Sequence, residues 1–292
     1  MKNFLKQSSL YILLLPVLLL FIYPFLWLIT ACFKTNREIY KPMQLLPEAV
    51  SKNFTENSQI TWHQVWNSFK DWDFQYFSQL YSGKDIPFWE YWGNSMIMTF
   101  GQAFLAVAVS AAAAYYFVFR ESRWNRVLFM AAVALILIPR QIMIYPLREL
   151  VFDMKLNDNL LAIILPGAVS GIGIIFFIQI YKNLPRDYVD LARMEGASES
   201  RAFLSTVPLL SSAFICCFMI HFLIAWQMHL IPLQLLDKNQ LLPVGISSLF
   251  SSSLRYNLAV VMCAGLFCIL PSALFFAVTY RKFRSALSQS IH

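Results

Sequence analysis

Six apolar runs, each about as long as a bilayer is thick, leave this chain very few folds. They lie at about 9–33, 94–119, 127–147, 160–181, 207–233 and 256–280. Roughly 20 apolar residues in a helix cross a hydrocarbon core of about 30 Å. Lipid offers no partner to backbone N–H and C=O groups, so only helices or closed barrels span it. Barrel strands take about 10 residues, and these runs are too long for that. The expected fold is an all-α membrane protein with six transmembrane helices. Composition agrees: 58% of residues are hydrophobic and 13% charged, against about 25% charged in soluble domains. The first run follows a basic start, as in a signal peptide. It is too long for a cleaved apolar region and lacks a small-residue cleavage site, so it reads as a retained span. Pro16, Pro24, Pro139, Pro146, Pro232 and Pro271 are expected to kink or end helices. Arg140 and Gln141 interrupt the third run.

Basic residues in short loops set the expected orientation. Lys2 and Lys6 precede the first run, Arg120, Arg123 and Arg126 follow the second, Lys182, Arg186, Arg193 and Arg201 follow the fourth, and Arg281, Lys282 and Arg284 follow the sixth. Both termini are thus expected in the cytoplasm, beneath the plasma membrane. The net charge of +7 fits loops beside anionic lipid rather than nucleic-acid binding. Three regions follow: 1–33, the N-terminus and first span; 34–93, a long extracytoplasmic segment; and 94–292, a core with spans two to six. The long segment is rich in aromatics, including Trp62, Trp66, Phe69, Trp72, Phe74, Tyr76, Phe77, Tyr81, Phe88, Trp89, Tyr91 and Trp92. These form either an interfacial belt with a small core or a docking surface for an external partner or sugar. Cys32, Cys216, Cys217, Cys263 and Cys268 all fall in apolar runs without metal-ligand spacing and read as small buried hydrophobes.

The polar stretch Leu184–Pro208 (LPRDYVDLARMEGASESRAFLSTVP) sits between two spans on the expected cytoplasmic side. Pro185 opens a helix, with Asp187 and Asp190 near its positive end. Val189, Ala192 and Met194 form its apolar side. Gly196 permits a sharp turn. Ser198 caps a second helix with Glu199 in its first turn, Ala202 and Phe203 give that helix its apolar side, and Pro208 marks re-entry into the membrane. Such an element either inserts into a groove on a soluble partner or lies as a connector on its own bundle.

Asp190-Leu191-Ala192-Arg193-Met194-Glu195-Gly196-Ala197 resembles the EAA loop of ABC importer permeases, whose core reads E-A-A-x-x-D-G-A. Asp190 stands for Glu, Glu195 for Asp, and Leu191 replaces a central alanine. Ile138-Pro139, Gln141 and Pro146-Leu147 are similar to the I-P-x-Q…P-L stretch of maltose-type carbohydrate permeases. Leu156-Asn157-Asp158-Asn159 matches a short polar loop of that family. Trp226 with Pro232-Leu233 resembles its W-N-x-F-x-x-P-L segment, with Gln227 for Asn and His229 for Phe. Leu242-Pro243-Val244-Gly245 and Leu270-Pro271 with Phe275 also fit.

This resemblance implies the transmembrane permease subunit of an ATP-driven carbohydrate importer. The implied partners are a second homologous permease, two cytoplasmic ATPase subunits, an extracytoplasmic solute-binding protein and a sugar substrate. With no G-x-x-x-x-G-K-[ST] loop, the chain is not expected to be an enzyme or to hold a cofactor; ATP and Mg belong to the ATPase. The residues implied for coupling are Asp190, Ala192, Glu195, Gly196 and Ala197, with Asp190 and Glu195 meeting basic groups on the ATPase or serving as helix-end charges. Arg193 and Arg201 either contribute there or snorkel to headgroups. Polar residues in spans are costly unless used, which singles out Gln102, Ser110, Gln179, His221, Gln227 and His229 as pathway candidates. Tyr115, Tyr116 and Trp226 are candidates to stack on sugar. Interhelical hydrogen bonds or packing are the other reading of each. A permease for a non-sugar solute is an alternative. A polytopic membrane enzyme is another, but it needs an acidic or histidine cluster, and Asp153 and Asp158 gather none.

Overall fold

The computed structural model describes residues 2–41, 45–48, 51, 74–83, 86–120, 122–251 and 258–290. Trp62, Trp66, Phe69 and Trp72 lie outside them. Every regular element among the described residues is helical, as a chain that must satisfy its backbone in lipid requires. The chain divides into two compact units, 1–89 with 245–270, and 90–244 with 271–292.

The first unit begins with α1 (Lys2–Ala31) and a one-turn α2 (Asn36–Ile39), and includes α3 (Gln75–Tyr81). A capping box starts α2: the Glu38 N–H donates to Thr35 Oγ1 and the Thr35 N–H to the Glu38 carboxylate. Phe33, Phe74, Phe77, Tyr81, Phe88 and Trp89 gather around Phe267 in edge and tilted contacts. Phe88 is buried among these rings, whereas Phe74, Tyr81 and Trp89 remain exposed.

In the second unit, α4 (Phe88–Phe119) is followed by α5 (Asn125–Leu137), a 3-10 turn (Arg140–Met143), α6 (Ile144–Asp153), α7 (Leu161–Gly167) and α8 (Gly171–Lys182). Then come α9 (Arg186–Met194), α10 (Glu199–Leu209), α11 (Ser211–Trp226) and α12 (Leu230–Leu235); α13 (Leu242–Ser251) belongs mostly to the first unit, and the long α14 (Leu258–Ser290) is divided between the two. Among the described residues, three helices are long and apolar enough to cross a membrane singly, at Leu14–Ala31, Phe88–Phe119 and Leu258–Tyr280. Counting the bent pairs α7–α8 (41°) and α10–α11 (86°) as one span each raises this to five.

The third expected span is not one helix. Pro139 has no N–H to continue α5 and holds Ile138 in extended backbone (φ −81°, ψ 116°), so the chain leaves the helix just where Arg140 and Gln141 stand. Pro208, expected at re-entry into the membrane, lies inside a helix. The helix α10 runs through it to Leu209, and the sharp bend follows at Leu210. Pro16, Pro24 and Pro271 lie inside unbroken helices.

Two apolar clusters lie at different heights of α4. One joins Met98 to Val151, Ala162, Ile163, Ala225, Leu236 and Leu241. The other joins Ala111, Ala114 and Tyr115 to Phe177, Tyr181, Val189, Ala202 and Cys217. Near the first, Ser95 Oγ accepts the Leu242 N–H at 2.7 Å; near the second, α4 meets α9 and α10. From Ser95 to Tyr115 the helix rises roughly 30 Å, at about 1.5 Å per residue, the depth of a hydrocarbon core.

The loop at Asp158 is clasped to the segment after α12. Asp158 Oδ1 accepts three successive backbone N–H groups, from Asp237 (3.0 Å), Lys238 (2.9 Å) and Asn239 (3.0 Å), and Asn239 Nδ2 donates to the Asp158 carbonyl at 2.7 Å. Burial raises the carboxyl pKa. The three N–H donors and the Lys238 charge outweigh it, so Asp158 titrates below the ordinary carboxylate value. A depressed folded pKa adds stability that is complete above the unfolded value of about 3.9 and lost as pH falls through the folded one. Asp158→Ala is expected to speed hydrogen exchange of the 237–239 amides by about tenfold or more at neutral pH, read by mass spectrometry. Unchanged exchange would show that the clasp carries no stability.

Candidate functional site: the Gly196 elbow and its anchor

The helices α9 and α10 form an elbow whose bend is a Schellman motif. The Ala197 N–H donates to the Ala192 carbonyl and the Gly196 N–H to the Arg193 carbonyl, both at 3.0 Å. Gly196 takes φ +80°, and a Cβ built there meets nothing within 4 Å. The glycine is therefore needed for backbone handedness and not for space. Ala192 and Ala197 are the two ends of the hydrogen bond that spans six residues. Ser198 occupies the cap position of α10 (φ −64°, ψ 158°), but its side chain makes no capping hydrogen bond.

One face of the elbow is fixed to the spans. Val189 and Ala202 are 0% exposed and belong to the same apolar cluster as Tyr115, Phe177 and Tyr181. Polar ties surround them. Arg193 donates to Asp190 Oδ1 (3.0 Å), to Glu199 Oε2 (3.3 Å) and to the Phe119 carbonyl that ends α4 (3.4 Å). The Tyr115 hydroxyl donates to Glu199 at 3.5 Å, and Arg120 lies 3.8 Å from its other oxygen. Burial works against the Arg193 charge, but hydrogen bonds to Glu199 and Asp190 outweigh it, so its pKa lies above the ordinary arginine value. Arg193 is thus a bracket between the elbow and α4. Asp190 is paired within its own helix. Glu195 and Arg201 are exposed.

The opposite face is bare, with apolar side chains beside the exposed carboxylates of Asp187 and Asp190. Tyr188, Leu191 and Met194 are exposed, Met194 at 83%. Met194 was expected beside Val189. Five helical steps of about 100° carry it roughly 140° round the axis, onto the outer face.

The pathway candidates scatter. His221 is buried; its Nδ1 lies 2.8 Å from the Cys217 carbonyl and its Nε2 2.7 Å from Ser170 Oγ. A carbonyl only accepts, so Nδ1 carries the proton and the Ser170 hydroxyl donates to Nε2. Ser110 Oγ donates to the Ser170 carbonyl at 3.4 Å. Gly173 allows this close approach, since a Cβ there would come within 2.4 Å of Ser110 Oγ. Trp226 is buried and stacked on Phe222 at 6.0 Å. Tyr115 belongs to the elbow anchor. Tyr116, Gln179 and Gln227 are exposed and His229 is half-buried. Gln102 is buried, and its Oε1 has no partner among the described residues. A cavity of about 550 Å³ is lined by Arg140, Gln141, Pro139, Ser170, Gly167 and neighbouring apolar residues. No group of three or more metal-ligating side chains occurs among the described residues.

Residues 104–288, which contain the elbow, its anchor and the cavity, match the family model of binding-protein-dependent transport system inner membrane components. The chain belongs to this family. It is a membrane component of an ABC importer, and membership implies ATPase and binding-protein partners in general terms. Among relatives, the arabinooligosaccharides transport system permease protein of Bacillus subtilis is 29% identical over 218 residues, 74% of this chain and 77% of that one. The sn-glycerol-3-phosphate transport system permease protein of Shigella flexneri is 28% identical over 210 residues, 70% and 74% of the two chains. A solved bacterial ABC transporter involved in import of the acidic polysaccharide alginate superposes with a TM-score of 0.76 at 17% identity, covering 97% of this chain and 98% of that one. The permease fold is therefore common to both.

The Arg193–Glu199–Arg120 bracket was missed in the sequence. Its signal was present as basic residues at both Arg120 and Arg193 with Glu199 in a helix first turn, but it becomes legible only once the end of α4 is placed against the elbow.

Proposed function

We propose that this permease subunit imports a sugar or oligosaccharide, and that its elbow passes ATP-driven closure of a separate ATPase dimer to the spans. The observation that carries this reading is the two-faced elbow. Val189 and Ala202 are sealed into the span cluster, while Tyr188, Leu191 and Met194 stand bare. A rigid body with one glued face and one open face transmits displacement instead of absorbing it. Gly196 sets the angle, Ala192 and Ala197 close the turn, and Asp190 and Glu195 present carboxylates near the open face. The conformational bias comes from nucleotide binding on the partner. ATP and Mg are held by two ATPase subunits, a second homologous permease completes the membrane unit, and a solute-binding protein delivers cargo from outside. Six crossings, with the α5–α6 pair as the third, put both termini and the elbow in the cytoplasm. The carbohydrate reading is supported by the arabinooligosaccharide relative and by the alginate importer's fold, and the glycerol phosphate relative favours polyol-like cargo generally.

Reconstitution tests it. Proteoliposomes holding this chain, its sister permease, the ATPase and the binding protein are expected to take up oligosaccharide only with ATP inside. This chain alone is expected to hydrolyse none. ATPase activity from the pure polypeptide, or uptake without nucleotide, overturns the reading.

The bracket makes a further expectation. Arg193→Gln removes the charge that joins α9 to α10 and to the end of α4. Sugar imported per ATP hydrolysed is expected to fall about tenfold, since a charge-assisted hydrogen bond is worth on that order. An unchanged ratio would show that the bracket does not carry the coupling.

A further inference from the structure

The cavity at the Pro139 break holds a positive charge, near the His221 ring, that has no acidic partner among the described residues. Arg140 stands in the 3-10 turn between α5 and α6 and lines the 550 Å³ cavity with Gln141 and Ser170. It makes no hydrogen bond or ion pair among the described residues, unlike Arg193 and Arg120. On the reading of α5–α6 as the third crossing, Arg140 follows a helix of 13 residues that starts beside Arg126. At about 1.5 Å per residue this puts it roughly 20 Å into a core of about 30 Å. That is too deep to reach a headgroup region cheaply, and an unpaired charge at such depth is costly unless something meets it.

Its surroundings restrict what that is. Most of the lining is apolar, from Ile136, Leu147, Ile163 and Met228 among others, while Arg140 and Gln141 themselves are exposed. The Ser170 hydroxyl is already committed to His221 and the Gly173 N–H, and Gln141 offers an amide. A planar guanidinium beside an amide suits a carboxylate or phosphate taken bidentately, with a ring or chain against the apolar wall. The volume suits one or two sugar units.

We propose that Arg140 is a specificity-determining residue that reads an anionic group, a carboxylate or phosphate, on the sugar cargo as it crosses. This rests on the importer reading above and narrows its substrate class to acidic or phosphorylated carbohydrate. Because the pair is formed only when cargo is present, the site favours charged over neutral sugars of equal size.

The test uses the assembled, detergent-solubilised complex without nucleotide and a matched pair of probes. Digalacturonate carries carboxylates where galactobiose carries hydroxymethyl groups. Equilibrium binding of radiolabelled probe is expected to favour digalacturonate by about tenfold or more. Arg140→Gln is expected to erase that preference, and Arg140→Lys to restore part of it. Equal binding of the two probes by the natural complex overturns the proposal, as does a preference that survives Arg140→Gln. A loss of both probes together also overturns it, since that outcome assigns Arg140 to a carboxylate of the sister permease. ATP-driven uptake of galactobiose, measured in parallel, separates the two claims: uptake without charge preference sinks the role of Arg140 and leaves the importer reading standing.

Discussion

Gly196→Pro is expected to abolish ATP-driven uptake while leaving the chain inserted in the membrane. Proline fixes φ near −65°, and the elbow holds this residue at +80°. The change also removes the N–H that donates to the Arg193 carbonyl. Both halves of the Schellman turn fail, and α10 no longer folds back so that Ala202 and Val189 share one cluster. Companion variants separate handedness from size. Asparagine tolerates left-handed backbone, so Gly196→Asn is expected to keep most uptake. Gly196→Ala costs about 1–2 kcal/mol of backbone strain and is expected to lower it. Gly196→Leu is expected to match alanine, because a Cβ at this position meets nothing within 4 Å. Uptake at natural levels in Gly196→Pro, with protein abundance in the membrane matched, would end the lever role.

The contrast between the elbow and the spans shows what a single sequence discloses. The Gly196 turn was legible because the need is local: a glycine between two amphipathic segments signals positive φ without reference to the rest of the chain. The burial of Val189 and Ala202 was legible for the same reason, through helical spacing. Met194 was misplaced where the angular count was not applied strictly. The α5–α6 break was half legible, as Pro139, Arg140 and Gln141 mark an interruption but not the extended backbone at Ile138. The bend at Leu210 was hidden, because the turn falls where packing requires it. The environment of His221 depends on which segment lies alongside: Ser170 arrives from 51 residues away. The Phe222 ring on Trp226 comes from one turn back in the same helix, a contact that helical spacing alone makes available.

Making the bare face of α9 more acidic should break the importer apart without unfolding its membrane unit. Leu191 and Met194 are largely exposed, and neither belongs to the cluster around Val189. The double change Leu191→Glu with Met194→Glu therefore leaves the elbow's own packing intact. In a docked complex, each of these side chains buries apolar area worth about 1.5–3 kcal/mol, and a carboxylate forced into the same contact pays a further desolvation cost. Together these reduce affinity for the ATPase by about a hundredfold or more. The two permeases are expected to co-purify as before, with the ATPase subunits missing and uptake gone. Leu191→Met with Met194→Leu keeps volume and polarity and is expected to retain both subunits. Electrostatic steering is a competing cause, and salt separates it: a deficit produced by like-charge repulsion shrinks as ionic strength rises to about 1 M, whereas lost apolar contact does not return. Capture of the ATPase at undiminished affinity by the doubly acidic variant would place the motor elsewhere on the chain.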